Sequence, residues 1–508
     1  MPYKGGWRFG DEKRCLPGTR KDFLDHIVNW VENPQSRRGL VLLGQAGTGK
    51  SSIAHEVAHL SDRKRLGSFF TYLRREQSKD EAHHLFTTIA RDLSDRYPPF
   101  KLALGRAIKD DSSLRVSRDY RILFERLLLE PLKSLQLGSP ILIIIDALDE
   151  SGDAIGHRGL HTFLSQRLSD LPANFRVLVT SRPEHGIELA FAKASSVDTI
   201  SMDDSNLAAN TQEDILKYIQ TMLDPDVFKV HGVELAKAAE GLFQWAAVAC
   251  GFINSTASIG LGDNECVQRL LGRSRGLNGE GLLDNLYEQI LEGYFKSDEA
   301  QILFRSVMGQ VFVAVEPLSI HSLIGLRRCA PTVHPEDSNR VLRLLRHLGS
   351  LLTNVTSFDQ TRPIIPLHTS FRDFLTNKTS NVFYVDLAEA HHQLAHSCLG
   401  FMLDNLKFNI CKLESSYLAN SDVPDLESRI SEHIPSALAY ACIHWHDHLE
   451  HLAFDHNVFR KLRSLFETKF LFWLEVLSIK NNVALAPRAL SSLLIWLQRE
   501  VSTLHSST

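Results

Sequence analysis

The stretch "GQAGTGKS" sets Gly44, Gly49, Lys50 and Ser51 in the spacing G-x-x-x-x-G-K-[ST]. That spacing serves phosphate binding. Glycines let a backbone curl until successive N–H groups face phosphate oxygens, and Gly44, Gln45, Ala46, Gly47, Thr48 and Gly49 supply such a cradle. Lys50 is placed to neutralise the β- and γ-phosphates, the Ser51 hydroxyl to ligate Mg²⁺, and Ser52 follows in the same turn. A helix opening here adds the positive end of its dipole. Further along, "ILIIIDALDE" is an apolar strand ending in Asp146, the Walker B pattern, whose carboxylate holds Mg²⁺. Asp149 and Glu150 follow on the loop as candidates to orient an attacking water. A third run, "VLVTSRPE", ends a strand in Thr180 and Ser181 with Arg182 next, a polar tip suited to sensing a γ-phosphate.

A second chemistry is spelled immediately after the first. "HEVAH" (His55 to His59) has the HExxH form of a zinc protease. A zincin needs a third ligand, and "HLSDRKR" lacks the metzincin continuation; Glu76, with Asp80 after it, is a distant gluzincin look-alike. The helical wheel decides against protease chemistry. Ile53, Ala54, Val57, Ala58 and Leu60 form one apolar face, which puts His55 and His59 opposite, at the outer surface or a domain seam. In "CIHWHDHLEHL", His444, His448 and His451 share a helical face near His446 and Cys442, but zinc sites usually join separated segments.

The elements that must position these residues can be read from periodicity. "RRGLVLLG", "LGSFFTYL", "SPILIIID", "FRVLVTSR" and "VDTISM" read as strands, with helical stretches such as "EAHHLFTTIARDLSDR" and "LHTFLSQRLSD" between them. That alternation predicts a parallel sheet with helices on both faces. "ILIII" has no polar alternation, as expected of a central strand. "KDFLDHIVNWVEN" predicts a helix burying Phe23, Ile27, Trp30 and Val31. Beyond about residue 205 the pattern is helical, including "GVELAKAAEGLFQWAAVACGFI" as one buried stretch. The runs "LLTNV" and "RPIIPLH" flank the polar turn "TSFDQT" after three helices, which predicts a winged helix.

Composition narrows the function classes. A chain of 508 residues predicts several domains. A net charge of −4 gives no electrostatic reason for bulk binding to nucleic acid or membranes. The polar start "MPYKGGWRFGDEKR" has no apolar core of a signal peptide, and "GLFQWAAVACGFI" is too short to span a bilayer. Seven cysteines, odd in number and without CxxC pairs, fit reduced thiols, so a cytoplasmic location is expected.

Taken together, the three phosphate motifs resemble the NACHT family of signal-transducing STAND ATPases, with "DALDE" similar to the family's Walker B variant and "VTSRPE" to its sensor strand. "CLPGTR", "EGLFQWAAVACGFI", "LYEQIL", "EPLSI", "LHTSFRDFL", "LKFNICKLESSY" and "IPSALAYACIHW" extend the resemblance to fungal NACHT proteins over roughly residues 15–480. Many of those carry C-terminal WD repeats, which are not expected here. The resemblance implies an α/β P-loop nucleotide-binding domain followed by an all-α domain, a winged helix and a second helical domain. The corresponding ranges are 1–38 (leader and first helix), 39–205 (NACHT domain), 206–299 (small helical domain), 300–378 (winged helix) and 379–508 (second helical domain). It also implies a switch closed with ADP and opened by ATP and Mg²⁺, with self-association or partner proteins through the NACHT and helical domains. Gly18, Thr19 and Arg20 would lie near the base and His368 would touch the β-phosphate; Phe243 stands where relatives often place an adenine-packing proline.

Ala147 holds the place where many P-loop motors put a glutamate, so the expectation is slow hydrolysis, with Asp149, Glu150 and Arg182 as the catalytic candidates. Three other readings remain: a mechanical motor, a scaffold permanently bound to ADP, and a winged-helix regulator using the stripe Arg340, Arg343 and Arg346 on DNA. A solvated helix face is the simpler account of that stripe.

Overall fold

Five apolar runs form the sheet of the computed structural model: β1 (Gly39–Leu43), β2 (Leu66–Thr71), β3 (Ile141–Asp146), β4 (Phe175–Ser181) and β5 (Val197–Ser201). Their order is β2-β3-β4-β1-β5 and every pairing is parallel. The structure describes residues 13–505 except 62–64, 73–80, 134–138, 152–157, 203, 205, 208, 258–262, 273–279, 330–336, 357–358, 378–380 and 416. Glu76, Asp80 and part of the "TSFDQT" turn lie outside the described residues.

All residues of β1, β3 and β4 are buried, because helices cover both faces. Side chains alternate between two cores. Leu40, Leu42, Ile144 and Leu178 pack with helices α1 (Lys21–Glu32) and α2 (Lys50–Ser61), whereas Val41, Leu43, Ile145 and Val179 face the other core. In α1 the buried residues are Phe23, Ile27, Trp30 and Val31, those its spacing predicts. Strand β4 lies between β1 and β3, with Leu43 opposite Ser181 and Ile145 opposite Val179. This register brings the tips of three strands level.

Helix α2 differs from its wheel. Ile53, Ala54, Val57 and Ala58 are buried, but Leu60 is 57% exposed in the last turn. His55 is buried, its ring 4.8 Å from that of Phe69. Burial pulls its pKa down to about 4, so it is neutral. Glu56 accepts both Nε and Nη2 of Arg14, at 2.9 and 3.0 Å. The leader residue Arg14 packs over the side that the wheel leaves open, so only His59 of the pair is exposed. The general-base position of HEVAH, Glu56, is held in an ion pair with Arg14.

The chain divides into two compact units, Met1–Leu286 and Tyr287–Thr508. After the sheet, the first unit continues with α3 (Thr211–Met222), α4 (Pro225–Ala238) and α5 (Phe243–Ala257). The stretch read as one buried helix is therefore two. Glu240 (φ 45°) and Gly241 (φ 85°) adopt the left-handed conformation that ends α4. Among the described residues no helix is long and apolar enough to cross a membrane.

The second unit is almost wholly helical. Its two strand-like runs form single antiparallel bridges rather than strands: Leu352 with Pro366, and Ser319 with Pro363. Hydrogen bonds from Thr353 N–H to Ile365 O, Leu367 N–H to Leu351 O and Ile364 N–H to Leu318 O flank these bridges. Each proline nitrogen therefore faces the partner of the other bridge and removes the donor a longer ladder there would need. Arg340, Arg343 and Arg346 are exposed, and Arg340 pairs with Glu299 at 3.8 Å.

The core of this unit joins α7 (Leu387–Asn405), which follows α6 (Thr369–Asn377), to α8 (Ser436–Leu449). A hydrogen-bond chain crosses it. Val315 N–H donates to the Tyr440 hydroxyl (3.1 Å), which lies 2.9 Å from His448 Nε2, while His448 Nδ1 lies 3.0 Å from His391 Nδ1. His391 stacks on His451 at 4.0 Å, and His444 Nδ1 pairs with Asp447 at 2.9 Å. The helical face considered for zinc is thus spent on these partners, and no group of three metal-ligating side chains converges among the described residues.

Burial, with His451 adding to it, pulls the pKa of His391 down to about 3, and burial holds His448 well below its ordinary value. Unfolded rings bind protons that the folded pair rejects, so stability falls as pH drops from the ordinary 6.5 toward about 3. Denaturant titrations followed by circular dichroism should show this loss in the second unit. In His391→Asn, whose amide reaches the Nδ1 position without titrating, the dependence should flatten.

Candidate nucleotide-binding site

The phosphate loop runs from the end of β1 into α2. Gly47 (φ 84°) and Gly49 (φ 94°) are left-handed, a conformation that other residues adopt only with strain. A Cβ on Gly49 would meet nothing within 4 Å, so the loop has an open side there. Gly44 is confined instead, with Met202 Cγ 2.5 Å from where its Cβ would stand. Gln45 O accepts Thr48 N–H and the Thr48 hydroxyl, which closes the loop on itself. Ala46 is buried, Ser51 exposed and Ser52 half-buried.

Lys50 is folded onto this loop, with Nζ 2.6 Å from Gly44 O and 2.8 Å from Gln45 O. Burial pushes its pKa down to about 8, against the pull of Asp149. The two magnesium candidates meet directly: the Ser51 hydroxyl donates to Asp146 Oδ1 at 3.1 Å. The same oxygen accepts the Thr180 hydroxyl at 2.5 Å, and Thr180 Oγ1 in turn accepts the backbone N–H of Ala147 at 3.0 Å. Asp146 is 1% exposed. Burial raises its carboxyl pKa, and the Thr180 and Ser51 hydroxyls work against that rise. A serine hydroxyl and a carboxylate, both oxygen donors beside an open loop, fit a hard divalent cation that keeps several waters.

Asp149 is engaged by the sensor strand. Its carboxylate accepts Arg182 N–H (3.0 Å), pairs with Arg182 Nε (3.2 Å) and receives the Ser181 hydroxyl (3.4 Å). Glu150 is buried in the short 3₁₀ turn Leu148–Glu150, which Ala147 enters with φ 57°. The catalytic candidates therefore surround the end of β3, with Asp149 and Arg182 joined as a pair.

Of the leader residues, Arg20 alone among the three reaches the loop through a hydrogen bond. Its Nη2 donates to Thr48 O at 2.7 Å and its Nη1 to Thr211 Oγ1 at 2.8 Å. Its backbone N–H binds Asp214 Oδ2 at 2.8 Å, and the guanidinium lies 4.7 Å over the Phe243 ring. Gly18 (φ 82°) and Thr19, whose hydroxyl donates to Leu16 O, build the turn that presents it. Phe243, noted in place of a proline, is covered by this arginine. His368 belongs to the second unit, where its Nδ1 accepts Ser370 N–H at 3.1 Å and caps α6.

Sequence reasoning gave Thr180 a phosphate-sensing role and missed its grip on Asp146. It also missed Thr211, Asp214 and Gln244, whose backbone N–H donates to Gly47 O at 3.1 Å. Only the β4 position between β1 and β3 could have revealed the first, and strand order is not written in a local motif.

Residues 18–182 match the family model described as nephrocystin 3, N-terminal. No curated protein matches this chain. Among solved structures, a STAND protein with a tetratricopeptide repeat sensor, PH0952 from Pyrococcus horikoshii, aligns at 14% identity and TM-score 0.38. The alignment covers 94% of this chain but 63% of that one, so this chain spans less than two thirds of its length. The Orc1 protein of Aeropyrum pernix, solved in complex with DNA, aligns at 14% identity and TM-score 0.33, covering 73% of this chain and 95% of that one. Cdc6p from Pyrobaculum aerophilum aligns at 14% and 0.28, covering 80% and 97%.

Thr180→Val should free the Asp146 carboxylate from its hydroxyl partner on β4 without emptying the loop. Titrating Mg²⁺ into nucleotide-loaded protein should show an affinity about 10–100-fold weaker than in the unaltered chain.

Proposed function

We propose that this chain is an ATP- and ADP-binding switch of the STAND type, closed with ADP, opened by ATP and slow to hydrolyse. The observation that carries the reading is the set Ser51–Asp146–Thr180 on one carboxylate oxygen beside the phosphate loop. Magnesium nucleotide, when bound, supplies the phosphates and the cation that this set suits. Lys50 leaves the Gly44 and Gln45 carbonyls to meet the phosphates. Ser51 and Asp146 hold the cation, and Thr180 keeps Asp146 turned toward it.

Slow turnover follows from the same corner. Ala147 cannot polarise water, and Asp149 must first part from Arg182. Release of that pair, with Arg182 moving toward the γ-phosphate, makes the sensor strand the reporter of nucleotide state. A small helical domain at 206–299, a winged helix at 300–378 contributing His368 to the β-phosphate, and a helical domain at 379–508 complete the switch. The antiparallel bridges around Leu352 and Pro366 support the wing. The NACHT-like motifs favour a cytoplasmic role in fungal self/non-self recognition or innate-immunity-like signalling, exercised through self-association or partner proteins. The paired Asp149 also favours a second form of this reading, a nucleotide-loaded scaffold without turnover.

Freshly purified protein should release ADP or ATP on denaturation, at near one per chain by chromatography, and Lys50→Ala should release none. An equal nucleotide content in Lys50→Ala would remove the phosphate-loop assignment. Isolated protein should turn over far less than one ATP per second; many per second would refute the switch in favour of a motor.

A further inference from the structure

Two carbonyls of the phosphate loop are held by donors from outside it. Gly47 O accepts Gln244 N–H at 3.1 Å, from the first turn of α5, and Thr48 O accepts Arg20 Nη2 at 2.7 Å. A trans peptide is planar, with its C=O and the next N–H pointing opposite ways. Tying Thr48 O to Arg20 therefore turns the Gly49 N–H away from the arginine. Gly49 is the residue beside which the loop is open.

Arg20 is itself firmly placed. It is 5% exposed and sits at φ 57°, a strained conformation for a non-glycine residue. Asp214 holds its backbone N–H, Thr211 its Nη1, and Phe243 and Phe23 lie 4.7 and 5.5 Å from the guanidinium carbon. Only a forked guanidinium can reach Thr48 and Thr211 together.

We propose that Arg20 is a positioning residue for the phosphate loop rather than a contact for the base. It fixes the Thr48–Gly49 peptide so that the N–H faces phosphate, and it does so while anchored on α3 and the start of α5. Phosphate binding and the seating of those helices thereby depend on each other. The inference rests on the nucleotide-site reading above.

The test uses the full chain and two probes, ATP and inorganic tripolyphosphate, each with Mg²⁺, measured by calorimetry. Arg20→Ala should weaken both by the same factor, about 10-fold or more, as expected for losing a charged hydrogen bond. Thr211→Val, which leaves Arg20 on Thr48, should weaken both equally but less. In the unaltered chain, tripolyphosphate alone should slow hydrogen exchange in α3 and α5, and Arg20→Ala should lose that protection. A loss for ATP with tripolyphosphate binding unchanged would assign Arg20 to the base and overturn the proposal. Unchanged binding of both probes would also overturn it. If Arg20→Ala does not fold, as judged by its melting curve, Thr211→Val and Arg20→Lys decide: equal losses for both probes support the proposal, unequal or absent losses overturn it. Failure of the unaltered chain to bind either probe would remove the nucleotide site itself.

Discussion

One oxygen atom, Asp146 Oδ1, ties together the parts of the first unit that matter for chemistry. It accepts a hydroxyl from the first turn of α2 and another from the tip of β4. An ionised carboxylate shut away from water is costly unless its lone pairs are satisfied. Here the satisfaction is also a measuring device, because it fixes where the end of β3 stands relative to the phosphate loop. The arrangement exists only because β4 is wedged between β1 and β3. With the phosphate strand beside the carboxylate strand, Thr180 would have no place between them.

The same wedge couples the two halves of the catalytic question. Thr180 and Arg182 are two residues apart on one chain end, and one holds Asp146 while the other holds Asp149. A shift of β4's tip cannot loosen one without disturbing the other. Ala147, held in a left-handed turn by Thr180, lies between the two acids and transmits the same constraint. On the proposed reading, these mutual restraints would have to be undone whenever Asp149 parted from Arg182.

Much of this was legible in the residue string. The glycine spacing, the apolar run into Asp146 and the alternation of strand and helix are local patterns, and the parallel sheet follows from them. The wheel of α1 predicted its four buried residues. What stayed hidden depends on chain-distant partners. The wheel turns His55 outward, because nothing in "HEVAH" announces that Phe69 will receive its ring and that Arg14 will cover Glu56. Gly241 lies inside an apolar stretch that reads as continuous, and its positive φ, after that of Glu240, breaks the helix. A resemblance alone puts Arg20 near the nucleotide, while its grip on Thr48 O and Thr211 spans segments that no local spacing links.

The prolines at 363 and 366 have a consequence beyond shortening two bridges. A longer, uninterrupted strand pair would offer its outer N–H and C=O groups as a template on which another chain could add a strand. Pro363 and Pro366 lie on one run paired on both sides, and each removes the donor that a longer ladder on the other side would use, so both pairings stay short. The short pairing thus spares the second unit one common route to uncontrolled aggregation.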